Sequence, residues 1–305
     1  MFDTQIAPIL EYNSEIWYYR QKCEPTERMH LGYIKHNLMI RKTSCTPALY
    51  AETGRFPLAL NYEFKMIKYW ERLINLPQTH ILKTAYHSLY NMSKNLVENN
   101  WCFTIKNILI SVDMEQLWIE QTINKKDLLL VKEKLYSNFM TNTLNKINDT
   151  SLFPKLRTYK LFKCEYKLEN YLVQLKDISG ISALLKFRIS SHNLRIETGR
   201  YERKQINGKV TKLPYNGRIC KLCNDSVEDE IHFILRCSFF NIERQKMFER
   251  MRIDCLECTN SIGNDTQVFQ QILTCKKRNC LESISIFLKT CFRKRNLNLF
   301  NKIQP

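Results

Sequence analysis

Apolar residues recur along this chain with the 3.6-residue period of an α-helix almost throughout. Between Pro57 and Pro77, Leu60, Phe64, Ile67, Trp70 and Ile74 are spaced by four, three, three and four residues. That places them on one helical face. Pro57 suits the first turn, and Pro77 cannot continue the helix. A second helix is expected after Asp127, read as its N-cap, with Leu128, Val131, Leu135 and Phe139 on one stripe. Shorter stripes are Leu31, Ile34 and Leu38, then Ile181, Leu184 and Leu185, and the segment LESISIFLKTCF near the end. Each stripe is accounted for by core packing.

Three stretches interrupt the pattern. Residues 42–57 (KTSCTPALYAETGRFP) hold two Pro and a Gly and are expected to form an irregular connector. Residues 141–154 are polar and Asn-rich, which predicts a linker or surface loop. Residues 197–219 carry Gly199, Gly208, Pro214 and Gly217 in a basic stretch, the clearest compositional change in the chain. No repeat at solenoid periods is present. With 305 residues the chain has room for two domains or one large one.

Composition adds charge to this picture. Lys and Arg number 47 against 30 Asp and Glu, a formal net charge of +17. An excess of this size favours a polyanionic partner, nucleic acid first and an anionic membrane second. Against the membrane, no apolar run approaches the roughly 18–20 residues needed to span a bilayer. The 12 Cys are scattered along a long chain, and MFDTQIAPIL has no basic leader region. We therefore expect an intracellular protein, nuclear or cytoplasmic, with reduced thiols.

The sharpest chemical signal is CKLCNDSVEDEIHFILRC. It spaces Cys220, Cys223, His232 and Cys237 as C-x2-C-x8-H-x4-C. Zinc takes four soft or borderline ligands in a tetrahedron, and a Cys3His set closes all four positions. Asp225 or Ser226 is expected to cap a helix whose positive end suits Glu228, Asp229 and Glu230, and which carries His232. Cys237 lies five residues further on, about 140° away around an ideal helix. The helix must therefore end or distort before Cys237. Such a site contributes roughly 10–16 kcal/mol of binding free energy to folding near neutral pH. Chance spacing in a Cys-rich chain is the competing explanation. A second C-x2-C, Cys255 and Cys258, has no His after it and reads as buried or idle thiols or a second metal pair.

Around the knuckle lie Arg195, Arg200, Arg203, Lys204, Lys209, Lys212, Arg218 and Lys221, against only Glu197 and Glu202. We take Arg195, Arg200, Arg203, Lys204, Arg218 and Lys221 as candidate phosphate contacts and Tyr201 as a stacking platform for an unpaired base. Tyr215 is interleaved in the same way. A solvated basic face is the alternative. Lys276, Lys277, Arg278, Lys289, Arg293, Lys294 and Arg295 extend the charge, and the Arg293–Arg295 triplet is a weak nuclear-localisation pattern. No phosphate-binding glycine loop, H-E-x-x-H or Asp-Asp doublet occurs. His30, His36, His80, His87 and His192 show no triad-like spacing, and His192 reads as a packing residue on an apolar helix.

At these residues the chain resembles the C-terminal part of the reverse-transcriptase polyprotein of LINE-type (non-LTR) retrotransposons. MFDTQIAPILEYNSEIW looks like the helix after the catalytic palm. ERMHLGYIKHNLMIRKTSCTPALYAETGRFPL looks like the thumb-like region, in which a Thr-Pro and a Gly-Arg-Phe-Pro recur. LRTYKLFKCEYKLENYL and LLKFRISSHNLRIETGRY look like the segments leading to the terminal knuckle, which matches at Cys220, Cys223, His232 and Cys237. The likeness covers most of residues 1–245, and the order of the segments is more specific than any one of them.

The resemblance implies a mainly α protein: a thumb-like region over 1–90, a helical connector over 91–196, a basic segment with the zinc knuckle over 197–245 and a helical basic tail over 246–305. It implies nucleic-acid handling by a truncated or host-retained remnant without polymerase activity, because the family's endonuclease and palm precede these segments. Only the four ligands carry over from the family; the basic contacts are inferred from charge. The competing classes are a zinc-stapled helical module that binds protein, a nuclease for which no carboxylate cluster can be assembled, and a relic with no function.

Overall fold

A computed structural model describes residues 1–20, 24–94, 100–206, 209–254 and 264–301. The protein is mainly α. In chain order the helices are α1 (Ala7–Leu10), α2 (Ser14–Trp17), α3 (Glu24–Asn37), α4 (Thr46–Thr53), α5 (Leu58–Ile74), α6 (Ile81–Lys94), α7 (Trp101–Ser111) and α8 (Glu115–Glu120). They continue with α9 (Lys125–Asn148), α10 (Asn170–Gln174), α11 (Ile178–Arg188), α12 (Arg195–Thr198), α13 (Asn241–Asp254), α14 (Asp265–Thr274) and α15 (Arg278–Asn301). A two-stranded antiparallel ribbon, β1 (Arg203–Ile206) and β2 (Lys209–Lys212), sets Arg203 opposite Lys212. The basic stretch of residues 197–219, marked in the sequence only by its change of composition, thus contains this ribbon. No helix among the described residues is long and apolar enough to cross a membrane.

The chain forms two compact units, Met1–Ile34 with Arg55–Thr143, and Lys35–Gly54 with Leu144–Pro305. In the first unit, the expected stripe on α5 is buried through Leu60, Ile67 and Trp70, with Phe64 and Ile74 partly covered. Trp70 packs with Trp101, Trp118 and Val131 in one core. Its indole N–H donates to Tyr86 Oη at 2.9 Å, so the polar edge of the ring is satisfied inside the core. Asp127 is not the N-cap of α9. Asn124 caps it, accepting from the N–H groups of Lys126 and Asp127, while Asp127 accepts in return from the N–H of Asn124 at 3.0 Å. This is a reciprocal cap with Asp in the Glu/Gln position.

Two expected breaks are largely helical. Helix α9 runs on to Asn148, which shortens the expected 141–154 loop to the residues after it. Within the expected connector 42–57, Thr46–Thr53 forms α4, and Ala48, Leu49, Tyr50, Ala51 and Glu52 are all buried in the second unit. The residues that signalled irregularity delimit this helix. Pro47 lies in its first turn, and Gly54 ends it at φ +62°. A Cβ on Gly54 would lie 2.6 Å from the backbone nitrogen of Leu168, so the close approach as well as the dihedral requires glycine.

The second unit is built around α15, which lies against α11 and α13. At its centre Arg188, 3% exposed, makes two hydrogen bonds of 2.9 Å to the carboxylate of Glu52, which is fully buried. Tyr171 Oη donates to the same carboxylate at 2.5 Å, and Arg188 also donates to the carbonyl of Leu273. The guanidinium faces the ring of Phe162 at 4.7 Å and that of Tyr171 at 5.3 Å. Burial alone would push the Glu52 carboxyl up, but the charge and hydrogen bonds of Arg188 outweigh it and hold it below the ordinary range.

A depressed carboxylate adds stability that is complete above the unfolded-state value, about 4.3, and is lost as pH falls through the lower folded value. The variant Arg188→Met strands the Glu52 charge and is expected to lose about 3–5 kcal/mol in urea unfolding at pH 7. That difference should shrink when the melts are repeated below pH 4, because protonated Glu52 no longer needs its partner. A pH-independent difference would assign the loss to packing rather than charge.

Candidate metal centre

The four spaced ligands converge. One donor atom from each of Cys220, Cys223, His232 and Cys237 lies within 4.8 Å of all the others. Cys220 Sγ is 4.0 Å from Cys237 Sγ, and Cys223 Sγ is 3.3 Å from His232 Nε2. Zn–S bonds near 2.3 Å and Zn–N bonds near 2.0–2.1 Å in a tetrahedron give edges of about 3.8 Å between sulfurs and about 3.5 Å between sulfur and nitrogen. The two closest edges are within a few tenths of an ångström of those values. The donor set and its spacing fit a four-coordinate metal ion.

Local backbone explains the convergence. Asn224 takes a left-handed conformation at φ 58°, and its N–H bonds the carbonyl of Cys220 at 2.9 Å, closing the first Cys turn. Cys220 N–H then pairs with the carbonyl of Ser226 at 2.9 Å, and Ile219 bridges Val227, so the chain doubles back as a short antiparallel turn. Asp229, rather than Asp225 or Ser226, caps the helical turn that follows. Its Oδ1 accepts from His232 N–H at 2.8 Å. The expected distortion before Cys237 is a π-turn over His232–Arg236, closed by Cys237 N–H donating to the carbonyl of His232 at 2.8 Å. The widened turn returns Cys237 to the side of His232 that an ideal helix would have turned away.

Ser226 has a different task from capping. Its Oγ lies 2.7 Å from His232 Nδ1. With Nε2 facing the three sulfurs, Nδ1 carries the proton and donates it to Ser226, which fixes both tautomer and ring plane. The hydrogen bond shared with Cys237, joined by His232 and the N–H groups of Cys223 and Leu222, holds the Cys220 thiol below its ordinary value against burial. The same bond pushes the Cys237 thiol up. A cation entering the cluster would bind the thiolates, so its binding would release the thiol protons.

The acidic run Glu228–Glu230, expected at the positive N-terminal end of a helix, is mostly buried. Glu228, 1% exposed, receives Arg295 Nε at 2.6 Å and Nη2 at 2.7 Å, and its Oε2 accepts from Arg195 N–H at 2.7 Å. Glu230, with no exposed surface, accepts from Arg157 Nη2 at 2.7 and 2.9 Å, from Ser190 Oγ at 2.9 Å and from His192 Nε2 at 3.0 Å. Burial alone would push the Glu230 carboxyl up; the charge of Arg157 and the His192 hydrogen bond hold it down to about 2. His192 is a satisfied packing residue, as expected. It sits in the turn after α11 rather than on a helix, with Phe292 stacked on its ring at 6.1 Å. Phe233 packs among Phe187, Phe240, Phe287 and Phe292. The metal-ligand loop is thus riveted to the helices of its unit.

No protein-family model, curated protein or solved structure matches this chain. The site is therefore read from its own geometry. Among the basic candidates, three are engaged internally. Arg195 Nη2 pairs with Glu202 at 2.8 Å, Arg200 Nε with Glu197 at 3.1 Å, and Arg218 donates to the carbonyls of Ile196 at 2.8 Å and Leu213 at 3.4 Å. Arg203, Lys221 and Tyr201 are exposed, Tyr201 by 75%. Lys204 stands in β1 opposite Thr211 by backbone register. The Arg293–Arg295 triplet lies inside α15, with Arg295 buried on Glu228 and Lys294 paired with Glu243. Cys255 and Cys258 lie outside the described residues.

Sequence reasoning missed Arg157, Arg295 and the burial of both glutamates. The signal was present in Val227-Glu228-Asp229-Glu230: in an extended segment, alternate residues share a face. The Ser226 contact yields a test. Ser226→Ala should weaken metal affinity by about 10- to 100-fold, measured by competition with a chelating dye, without changing stoichiometry. An unchanged affinity would remove Ser226 from the site.

Proposed function

We propose that this chain is a non-catalytic, zinc-binding, nucleic-acid-binding remnant of a LINE-type retrotransposon reverse transcriptase. The observation that carries the reading is the four-donor cluster of Cys220, Cys223, His232 and Cys237. Three thiolates and one imidazole select zinc over harder cations, and four protein ligands leave no position for water or substrate. The ion serves as a staple: it ties together the two sides of the ligand turn, in a loop whose glutamates already join α15 and the Arg157 segment. Thiolate ligands also call for a reducing compartment.

The nucleic-acid part rests on charge. The net charge is +17, and Arg203 stands directly across the ribbon from Lys212, both exposed. Like charges opposite each other on a ribbon repel. A phosphate between them relieves that repulsion, and Tyr201 and Lys221 supply an exposed ring and a further cation. The inward pairing of Arg195, Arg200 and Arg218 shifts their contribution from gripping phosphate to holding the loop that presents the ribbon.

The test is zinc content and binding on one purified full-length sample. One zinc per chain is expected, reduced in Cys223→Ser. An oligonucleotide held through four phosphates on a single strand should bind about 50-fold more weakly at 200 mM than at 50 mM salt. Full zinc in Cys223→Ser would refute the ligand assignment. One zinc with no oligonucleotide binding would favour the zinc-stapled protein-interaction module instead.

A further inference from the structure

Within the second unit, two open cavities adjoin, with Arg41, Ser191 and His192 in the walls of both; together they are the groove considered below. The smaller has a volume of about 210 Å³ and reaches Lys155 and Tyr201. The larger has a volume of about 480 Å³ and reaches Lys186 and Phe292. Three cations thus line the pair of cavities: Lys155 the smaller, Lys186 the larger and Arg41 both. Among the described residues, none of the three side chains has an ion-pair or hydrogen-bond partner, in contrast to Arg195, Arg200 and Arg218 nearby. The acid on the groove wall, Glu197, is already held by Arg157 and Arg200. Burial and the charge of Arg41 both push the Lys186 ammonium below its ordinary value, as expected of cations gathered without a counterion.

The wall between the cations is polar. Ser44 and Ser191 join their hydroxyls at 2.7 Å, and Thr43 lines the same cavity. The C-terminal ends of α3 and α11 lie beside the groove and offset part of the positive charge through their carbonyls, but they supply no full countercharge. Cations spread over two joined cavities suit several linked anions better than one. Cavities of these volumes admit a nucleotide and exclude a duplex, and Tyr201 stands at the mouth with its ring open to solvent.

We propose that this groove seats the sugar-phosphate backbone of one nucleic-acid strand, with Arg41, Lys155 and Lys186 as its phosphate-holding cations and Tyr201 as the stacking ring at its mouth. The proposal rests on the nucleic-acid reading and gives that strand a place distinct from the ribbon. Binding needs no movement of the metal-ligand loop, since Arg41 and Lys186 lie on segments outside it. Phosphate in the groove relieves the repulsion between Arg41 and Lys186, and loss of both cations relieves it too.

The experiment titrates a labelled 12-nucleotide single strand and a matching duplex by fluorescence anisotropy at several salt concentrations. It compares the full chain with Arg41→Ser/Lys186→Ser and with the charge-retaining Arg41→Lys/Lys186→Arg. The first variant should keep its zinc and its melting temperature, lose about tenfold or more in single-strand affinity at 50 mM salt, and show a salt slope smaller by about 0.7 for each lost contact. The second should bind within about twofold of the parent. Parent-like binding by the first variant would overturn the groove and leave the nucleic-acid reading standing. Duplex bound as tightly as the single strand, and weakened equally by the variant, would overturn the single-strand assignment. Displacement of the strand by inorganic phosphate at matched ionic strength, with equal loss of phosphate binding in the variant, would make the groove a site for a free anion and overturn it as a strand track. A parent chain that binds neither oligonucleotide would overturn both readings.

Discussion

Two buried carboxylates on three consecutive residues set the arrangement of the metal-ligand loop. Glu228 and Glu230 stand between the Cys220–Cys223 turn and His232, and neither reaches solvent. A buried ionised carboxylate without a partner would cost several kcal/mol, so each must be met by a cation fixed elsewhere. Arg295 comes from the last helix, and Arg157 from a 3₁₀ connection far earlier in the chain. The segment between the ligands is consequently held at two points, one just before and one just after the Asp229 cap. The position of His232, two residues beyond Glu230, follows from that anchoring together with the Asp229 cap.

This division of labour separates geometry from affinity. The ion pairs and the Phe233 cluster place the ligand loop against its helices. A metal ion held by the four donors would add its binding free energy to a loop that these contacts already place, because the donors come from both sides of the turn. A free-standing knuckle has no core and depends on its ion for any fold at all. Here the loop shares the core of a larger unit. Loss of the ion would leave three thiols and an imidazole inside an otherwise supported segment, with the charge and packing contacts outside the cluster still in place.

Helix positions and the ligand set were legible in the sequence because each rests on spacing along a single element. The α5 stripe and the Cys3His spacing needed no knowledge of distant residues, and the need for distortion before Cys237 followed from helix geometry alone. What could not be read depends on partners far away in sequence. The Pro and Gly of residues 42–57 look like a broken connector until α4 is seen to be covered by the second unit, where they act as its start and stop. Acidic residues near a ligand look like helix-end charges until Arg157 and Arg295 arrive, 73 and 67 residues away. The basic run was legible as charge but not as assignment, since a guanidinium that caps a carbonyl and one that awaits a phosphate have the same letter.

That last distinction decides where an anion can be accepted. Arg195, Arg200 and Arg218 have committed part of their donors to Glu202, Glu197 and backbone carbonyls, and a phosphate would have to compete with those bonds. Arg41, Lys155 and Lys186 have no such bonds to break. Among these three the cost of an unpaired cation is seen at Lys186, partly buried and disfavoured by burial and by the neighbouring charge of Arg41, which is itself exposed. The balance of paired and unpaired cations, rather than the density of basic residues along the chain, is therefore what argues for the proposed anion path on the groove beside α11, with the ribbon as a second basic surface.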